Sequence, residues 1–413
     1  MPPIKVLLSS YAVKPNSGSE PGNGWNFFVS LQKRKDVEVW LITEIEFKDS
    51  IIKECKSLGI NESRIFFCDI GDTGRKLCWK QGNWFFYIYY LIWQIKVLKL
   101  AKGLHRNINF DICHHNNMCG FREMGYLYRL KDTKVVVGPI GGVGNANLKL
   151  LLSNYGLKYF IIEFVKKILN WINYRAPKIK NVIKNSDAAI SAYPEVKAIF
   201  EKIYNINMPS IPETSTANEE VKAEMYDNEF YNKDYFVIIA KNVPRKFIKL
   251  GIAAFCDSNT NHSLYIFGED PLNQLYKYRN DIDTPNVGIN YFGFIEKDKL
   301  QSILLNAKGH IFPSLHDANP GAIMESLSFG VPVICFDKWG ASSLVSDDLF
   351  KINEKNNYDQ ILFEYKKNIE NLSMKKIDEH QRALNGNKFR AIYSWDSTIK
   401  KIVKIYKKIS PSI

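Results

Sequence analysis

At 413 residues the chain is too long for one ordinary core and suits two domains of about 200 residues each. A hydrophobic content of 46% and a charged content of 24% exclude a disordered or low-complexity polypeptide. Seven scattered cysteines without CxxC spacing argue against a disulfide framework and a zinc site, and the net charge of +13 lies wholly in residues 1–210, since residues 211–413 carry 26 cations and 26 acids.

The first predicted strand, IKVLLSS (4–10), is too short an apolar run for a signal peptide, and a cytoplasmic protein is expected. It leads into KPNSGSEPGNGWNF (14–27), where Gly18, Gly22 and Gly24 precede a helical stretch whose N-terminus could face an anion. The spacing is not GxGxxG. No acid is expected at the end of the second strand, VEVWLIT (37–43), so a dinucleotide fingerprint is not supported.

After a third strand, RIFFCD (64–69), no acid occurs between Asp72 and Asp111, whereas seven cations do. WFFYIYYLIW (84–93) lies inside that stretch. It is half of the roughly 20 residues needed to span a bilayer, which leaves a core helix with basic flanks or a helix lying on an anionic membrane. No recognition motif for nucleic acid accompanies the charge.

The fourth strand, FDICHH (110–115), ends in His114 and His115, of which at most one side chain would face a site beyond the strand end. The fifth, KVVVGPI (134–140), runs into Gly141, Gly142 and Gly144, and the sixth is AAISA (188–192). NINMPSIPETSTANEE (205–220) interrupts both periodicities and marks the boundary, giving domains of 1–210 and 211–392 with a terminal helical segment at 393–413.

The second half repeats the scheme with YFVIIAK (235–241), SLYIFG (263–268), GINYFGF (288–294), GHIFPS (309–314) and VPVICF (331–336). Near-continuous apolar strands joined by helix-length crossovers predict an α/β chain of two doubly wound parallel sheets, with ligands at the carboxyl ends of the strands. Lys241 and Lys246 follow the first of these strands and suit a diphosphate. In HDANPGAIME (316–325), Asn319 reads as an N-cap and Pro320 as the first helical residue, which leaves the Gly321 and Ala322 amides for an anion. Asp317 and Glu325 stand on either side and would accept hydrogen bonds from hydroxyls; the plainer reading is a turn aspartate and a helix-surface acid. The DID at 281–283 is read as a loop.

Taken together, SEPGNGW (19–25), HHNNMCGF (114–121), GPIGGVG (138–144), VPRK (243–246), LYIFGEDP (264–271), FGFIEKDKL (292–300) and FPSLHDANPGAIMESLSFGVPVI (312–334) resemble the bacterial family-4 retaining glycosyltransferases, the glycosyl transferases group 1. The resemblance covers nearly the whole chain. It implies a GT-B fold: two Rossmann-like domains facing across a cleft, with the helix YSWDSTIKKIVKIYKKI (393–409) returning to the first.

It further implies that Glu325 accepts the ribose hydroxyls of a nucleotide-diphosphate sugar. Asp317, with the Gly321 and Ala322 amides, would hold the transferred sugar, Lys241 and Lys246 would neutralise the diphosphate, and His114 or His115 would contact the sugar. Gly18, Gly268, Asn319 and Pro320 complete the donor side, while Glu20, Gly141 and Gly142 fall on the acceptor side. No metal and no further cofactor are implied. Lys241 stands where the family usually has Arg, Phe247 where it has Gly, and Asp317 where Glu is common. The expected acceptor is a saccharide or a lipid-linked saccharide of bacterial surface polysaccharide. The basic first domain would give the protein a peripheral place on the inner face of the plasma membrane. A GT-B nucleotide-sugar epimerase and a non-catalytic scaffold binding a sugar nucleotide or a membrane surface are the competing readings.

Overall fold

The computed structural model describes residues 2–78, 84–218, 234–278 and 288–410; the DID at 281–283 lies outside them. In chain order the first half forms β1 (Ile4–Ser9), α1 (Ser19–Gln32), β2 (Val37–Glu44), α2 (Lys48–Leu58), β3 (Ile65–Cys68), α3 (Asp72–Cys78) and α4 (Trp84–Ile108). It continues with β4 (Ile112–His115), β5 (Lys134–Ile140), α5 (Leu148–Tyr155), α6 (Leu157–Asn173), α7 (Pro177–Asn185), β6 (Ala188–Ser191) and α8 (Pro194–Tyr204). The second half forms β7 (Tyr235–Ile239), α9 (Ile248–Asp257), β8 (Ser263–Phe267), β9 (Ile289–Gly293), α10 (Lys297–Asn306) and β10 (Ala307–Phe312). Then come α11 (Gly321–Ser328), β11 (Val333–Phe336), α12 (Trp339–Leu344), β12 (Lys351–Ile352), α13 (Tyr358–Met374), α14 (Glu379–Tyr393) and α15 (Trp395–Ile409).

The strands pair in parallel in two six-stranded sheets, ordered β3-β2-β1-β4-β5-β6 and β12-β11-β10-β7-β8-β9. Counted from each sheet's own first strand, both follow the order 3-2-1-4-5-6 of doubly wound dinucleotide-type folds. All eleven expected strands form, and among the described residues only the two-residue β12 was not expected from the sequence. Burial on both faces is visible along β7: Phe236 and Ile238 enter one core with Ile311 and Ile323, while Tyr235 and Val237 enter another with Ile303 and Leu304.

The chain divides into two compact units, 1–143 with 170–215 and 395–413, and 144–169 with 216–394. Two segments thus leave the order of the sequence. Residues 144–169 pack with the second unit, because Ala146, Leu150 and Leu151 join the core of Phe247 and Ile248. α15 packs with the first, where Trp395, Ile399, Ile402 and Tyr406 lie in the same core as Phe28 and Trp93.

α4 combines the two alternatives posed for it: Tyr90, Trp93, Val97 and Ala101 are core, and Tyr87, Ile88, Ile92 and Ile95 are exposed. Among the described residues no helix is long and apolar enough to cross a membrane.

Candidate functional site

Each sheet reverses its winding at one place, between β1 and β4 in the first unit and between β7 and β10 in the second. Loops leaving the carboxyl ends of those strands separate there and open a crevice. In the second unit the two loops are knitted together. Leu315 N donates to Arg245 O at 2.8 Å, Ser314 Oγ donates to the Arg245 and His316 carbonyls, and Arg245 Nη1 donates to His316 O at 3.2 Å.

The Lys246 side chain is only 15% exposed and forms an ion pair with the Asp317 carboxylate. Its Nζ also lies 5.3 Å from the centre of the Phe312 ring. Burial depresses the Lys246 pKa, with the Arg245 charge adding to the effect, while Asp317 opposes both. Asp317 therefore helps to keep a proton on a lysine that its surroundings would strip.

Beyond Asp317 begins α11, and here the expected cap shifts by one residue. Pro320, with φ −73° and ψ 100°, is itself the N-cap, the helix opens at Gly321, and no side chain caps it. Proline with an extended ψ still presents its carbonyl, which accepts from Met324 N at 3.1 Å, while Asn319 stays in the preceding turn. The first-turn amides at Gly321 and Ala322 precede that bond in the ladder and point toward the N-terminal end, where the helix dipole favours an anion. Glu325, half-buried, stands four residues further on, about 6 Å along the axis.

Lys246, Asp317 and the start of α11 thus meet at one switch point. Lys241 does not join them as expected: it is exposed and pairs with Glu269, after β8, at 2.5 Å. Gly268, with φ +133°, lets the loop after β8 pass the Ala240 carbonyl, which a Cβ there would approach to 2.2 Å.

Phe247 explains why its position suits glycine, for its φ is +49°. A phenylalanine held there costs on the order of 1–3 kcal/mol. The ring is fully buried against Tyr155 and Tyr358, which offsets the cost by about 2–3 kcal/mol.

Three residues that the sequence reading did not assign to the site surround the Asp317 loop. His316 meets the Trp339 ring edge-on at 5.1 Å, Trp339 adopts φ +59°, and Gly144, with φ +109°, sits so close that a Cβ would lie 2.7 Å from His316 Nε2 and from Trp339. A bulky residue in the left-handed region leaves no periodic trace in a sequence, and Gly144 is distant in the chain.

In the first unit, His114 and His115 are closed into the core instead of facing a ligand. His114 Nε2 donates to Gly138 O at 2.6 Å, so Nδ1 accepts from the Tyr406 hydroxyl at 2.6 Å. His115 lies between the Tyr90 hydroxyl, 3.2 Å from Nε2, and Ser9 Oγ, 3.4 Å from Nδ1. Burial lowers their pKa values to about 4 and about 3. The strand end placed them correctly, but both flanking layers cover it.

Glu20 in the first turn of α1 accepts from Asn117 Nδ2 at 3.0 Å and Met118 N at 3.4 Å, and burial raises its pKa. Gly18, exposed, is the N-cap of that helix. Gly141 exchanges backbone bonds with Cys119 and Phe121, which zips the loops after β4 and β5 together, and Gly142 follows at φ +74°. One further correction concerns β2, which does end in an acid: Glu44 is buried and its carboxylate accepts from Glu46 N at 2.5 Å, capping the next turn.

Two doubly wound units, one carrying a lysine, an aspartate and an uncapped helix start at its switch point, define the class of GT-B folds. Residues 222–381 match the family model of the glycosyl transferases group 1. No curated protein gives a significant match.

Among solved structures, the chain is similar to the apo form of the lipopolysaccharide outer core galactosyltransferase WaaB, with 11% identity, a TM-score of 0.64, and 98% of this chain and 99% of that one covered. It is also similar to HepE of Anabaena in complex with UDP and glucose, at 12% identity and a TM-score of 0.56 over 98% and 100% of the two chains. A TarM variant of S. aureus in complex with Fondaparinux, alpha-GlcNAc-glycerol and UDP aligns at 13% identity and a TM-score of 0.57, over 98% and 99%.

Proposed function

We propose that the protein is a retaining glycosyltransferase of the family-4 type, moving a sugar from a nucleoside-diphosphate donor to a saccharide or lipid-linked acceptor. The observation that carries this is the convergence of Lys246, Asp317 and the α11 start at the second unit's switch point, within the matched family domain.

Cleaving such a donor develops positive charge at the anomeric carbon and negative charge on the leaving diphosphate. Preorganised donors aimed at that oxygen charge lower the barrier. Lys246 and the Gly321 and Ala322 amides would serve the diphosphate, Asp317 the sugar, and Glu325 the ribose. Arg245, anchored on His316 O, holds the loop that carries Lys246. No protein nucleophile is assigned; Asp317 is occupied as the counter-ion of Lys246. The reading requires no metal. A role in surface-polysaccharide assembly is supported by the likeness to WaaB, a lipopolysaccharide outer core galactosyltransferase.

The test is a thermal-shift titration with UDP, GDP and other nucleoside diphosphates, with and without EDTA. UDP comes first because the HepE and TarM structures hold it. At about 100 times its dissociation constant one nucleotide should add ~2.7 kcal/mol of stability to the parent. Glu325→Ala and Lys246→Ala should each lose the shift. A parent that responds to no nucleotide would leave a non-catalytic scaffold as the better account.

A further inference from the structure

α6 is built inside out. Its buried positions are polar: Glu163 accepts from Ala146 N at 2.8 Å and pairs with Lys166, and Asn170 accepts from Arg122. Of its eleven exposed positions two are the cations Lys158 and Lys167 and nine are apolar, running from Leu157 to Ile172, each of the nine between 38% and 62% exposed. An ordinary surface helix turns its apolar stripe to the core and its polar side outward. Nine half-exposed side chains amount to on the order of 800 Å² of contiguous apolar surface, above the few hundred that a soluble monomer leaves open.

The charge around this face has one sign. Between residues 149 and 184 the chain carries eight cations, Lys149, Lys158, Lys166, Lys167, Arg175, Lys178, Lys180 and Lys184, and its one acid is the buried Glu163. Lys158, Lys167 and Arg175 are exposed on or beside the helix, and the Trp171 ring carries the Arg175 guanidinium at 4.6 Å from its centre. A second copy of the chain would bring the same cations against these and repel. A bilayer rich in anionic headgroups offers both a hydrocarbon boundary for the stripe and counter-charge for its rim. With 17 residues, about 25 Å long, and lysines in its middle, α6 is shaped to lie in the interface and not to cross it.

We infer that α6 is an in-plane membrane anchor, seating its Leu157–Ile172 face in the headgroup boundary of an anionic lipid bilayer. The assignment is independent of the donor reading and holds whichever sugar is transferred. It also places the membrane contact on a different element from the basic α4 stretch that the sequence brings to notice.

The experiment is flotation of the full chain with vesicles of phosphatidylcholine alone or with about a third phosphatidylglycerol, whose headgroups supply the anionic surface the cations would meet. The parent should float with the anionic vesicles, at least tenfold more than with the neutral ones, and less in high salt. Ile161→Glu combined with Ile168→Glu should abolish flotation while keeping the parent's melting temperature and its thermal shift with UDP, which separates this face from the donor site. Undiminished flotation of that variant would overturn the assignment. So would equal binding to neutral vesicles, or a parent that ignores vesicles and elutes as a dimer that the double variant dissociates.

Discussion

A lysine whose side chain is only 15% exposed needs a reason to stay charged, and for Lys246 that reason is the Asp317 carboxylate. The pair gives the acid a role besides the sugar contact proposed for it. Removing it leaves burial and the Arg245 charge unopposed, both of which push the Lys246 pKa down. Asp317→Asn should therefore make Lys246 lose its proton at a lower pH. The thermal shift produced by UDP in the variant should fade at a lower pH than in the parent when followed from pH 7 to pH 10. Coincident curves would mean that another cation meets the phosphates. Sequence alone proposed two lysines of equal standing at this loop. Only the fold separates the largely buried Lys246 from Lys241, which spends its charge on Glu269 in open solvent.

At the level of elements, the strands were legible because a parallel sheet covered on both faces writes itself as continuous apolar runs, and eleven of these are present. β12 was not, since two residues carry no periodicity. The helices hid more. α6 has a strong amphipathic pattern, but a pattern does not say which side faces the protein, and its inversion becomes visible only from the partners of Glu163 and Asn170. The two histidines of β4 show the same limit, since a strand end is a fair guess for a site until the covering layer is known. That layer is α15, whose Tyr406 supplies the hydroxyl for His114. Tyr406→Phe keeps the ring and removes the donor, leaving a buried imidazole nitrogen unsatisfied at a cost of about 1–3 kcal/mol. The measurement is chemical denaturation. An unchanged midpoint would show that the hydroxyl contributes nothing to the docking of α15.

For the whole molecule, the sealed histidines set an acid limit. His114, His115 and His310 have pKa values lowered by burial to about 4, 3 and 3 from an ordinary 6.5. Because the folded values lie below the unfolded one, the unfolded chain binds protons that the native chain refuses. The stability they contribute is complete above pH 6.5 and is lost as the pH falls toward 4. Each group adds a slope of up to ~1.4 kcal/mol per pH unit, so three acting together approach ~4 kcal/mol per unit. The melting temperature should fall steeply between pH 6.5 and pH 5, before most carboxylates titrate. A flat profile over that range would mean that the rings are protonated in place.

The return of α15 to the first unit also governs how the protein is made. Trp395, Ile399, Ile402 and Tyr406 complete a core whose other members are almost all in hand by Ile211. A ribosome working at about 5–20 residues per second needs roughly 10–40 s to deliver the intervening chain. During that interval the nascent first unit holds an open apolar trough where α15 will sit, and α1 lacks the helix it packs against. α15 is thus made after every segment of the second unit, and until it emerges the first unit stays unfinished while the second has everything it needs.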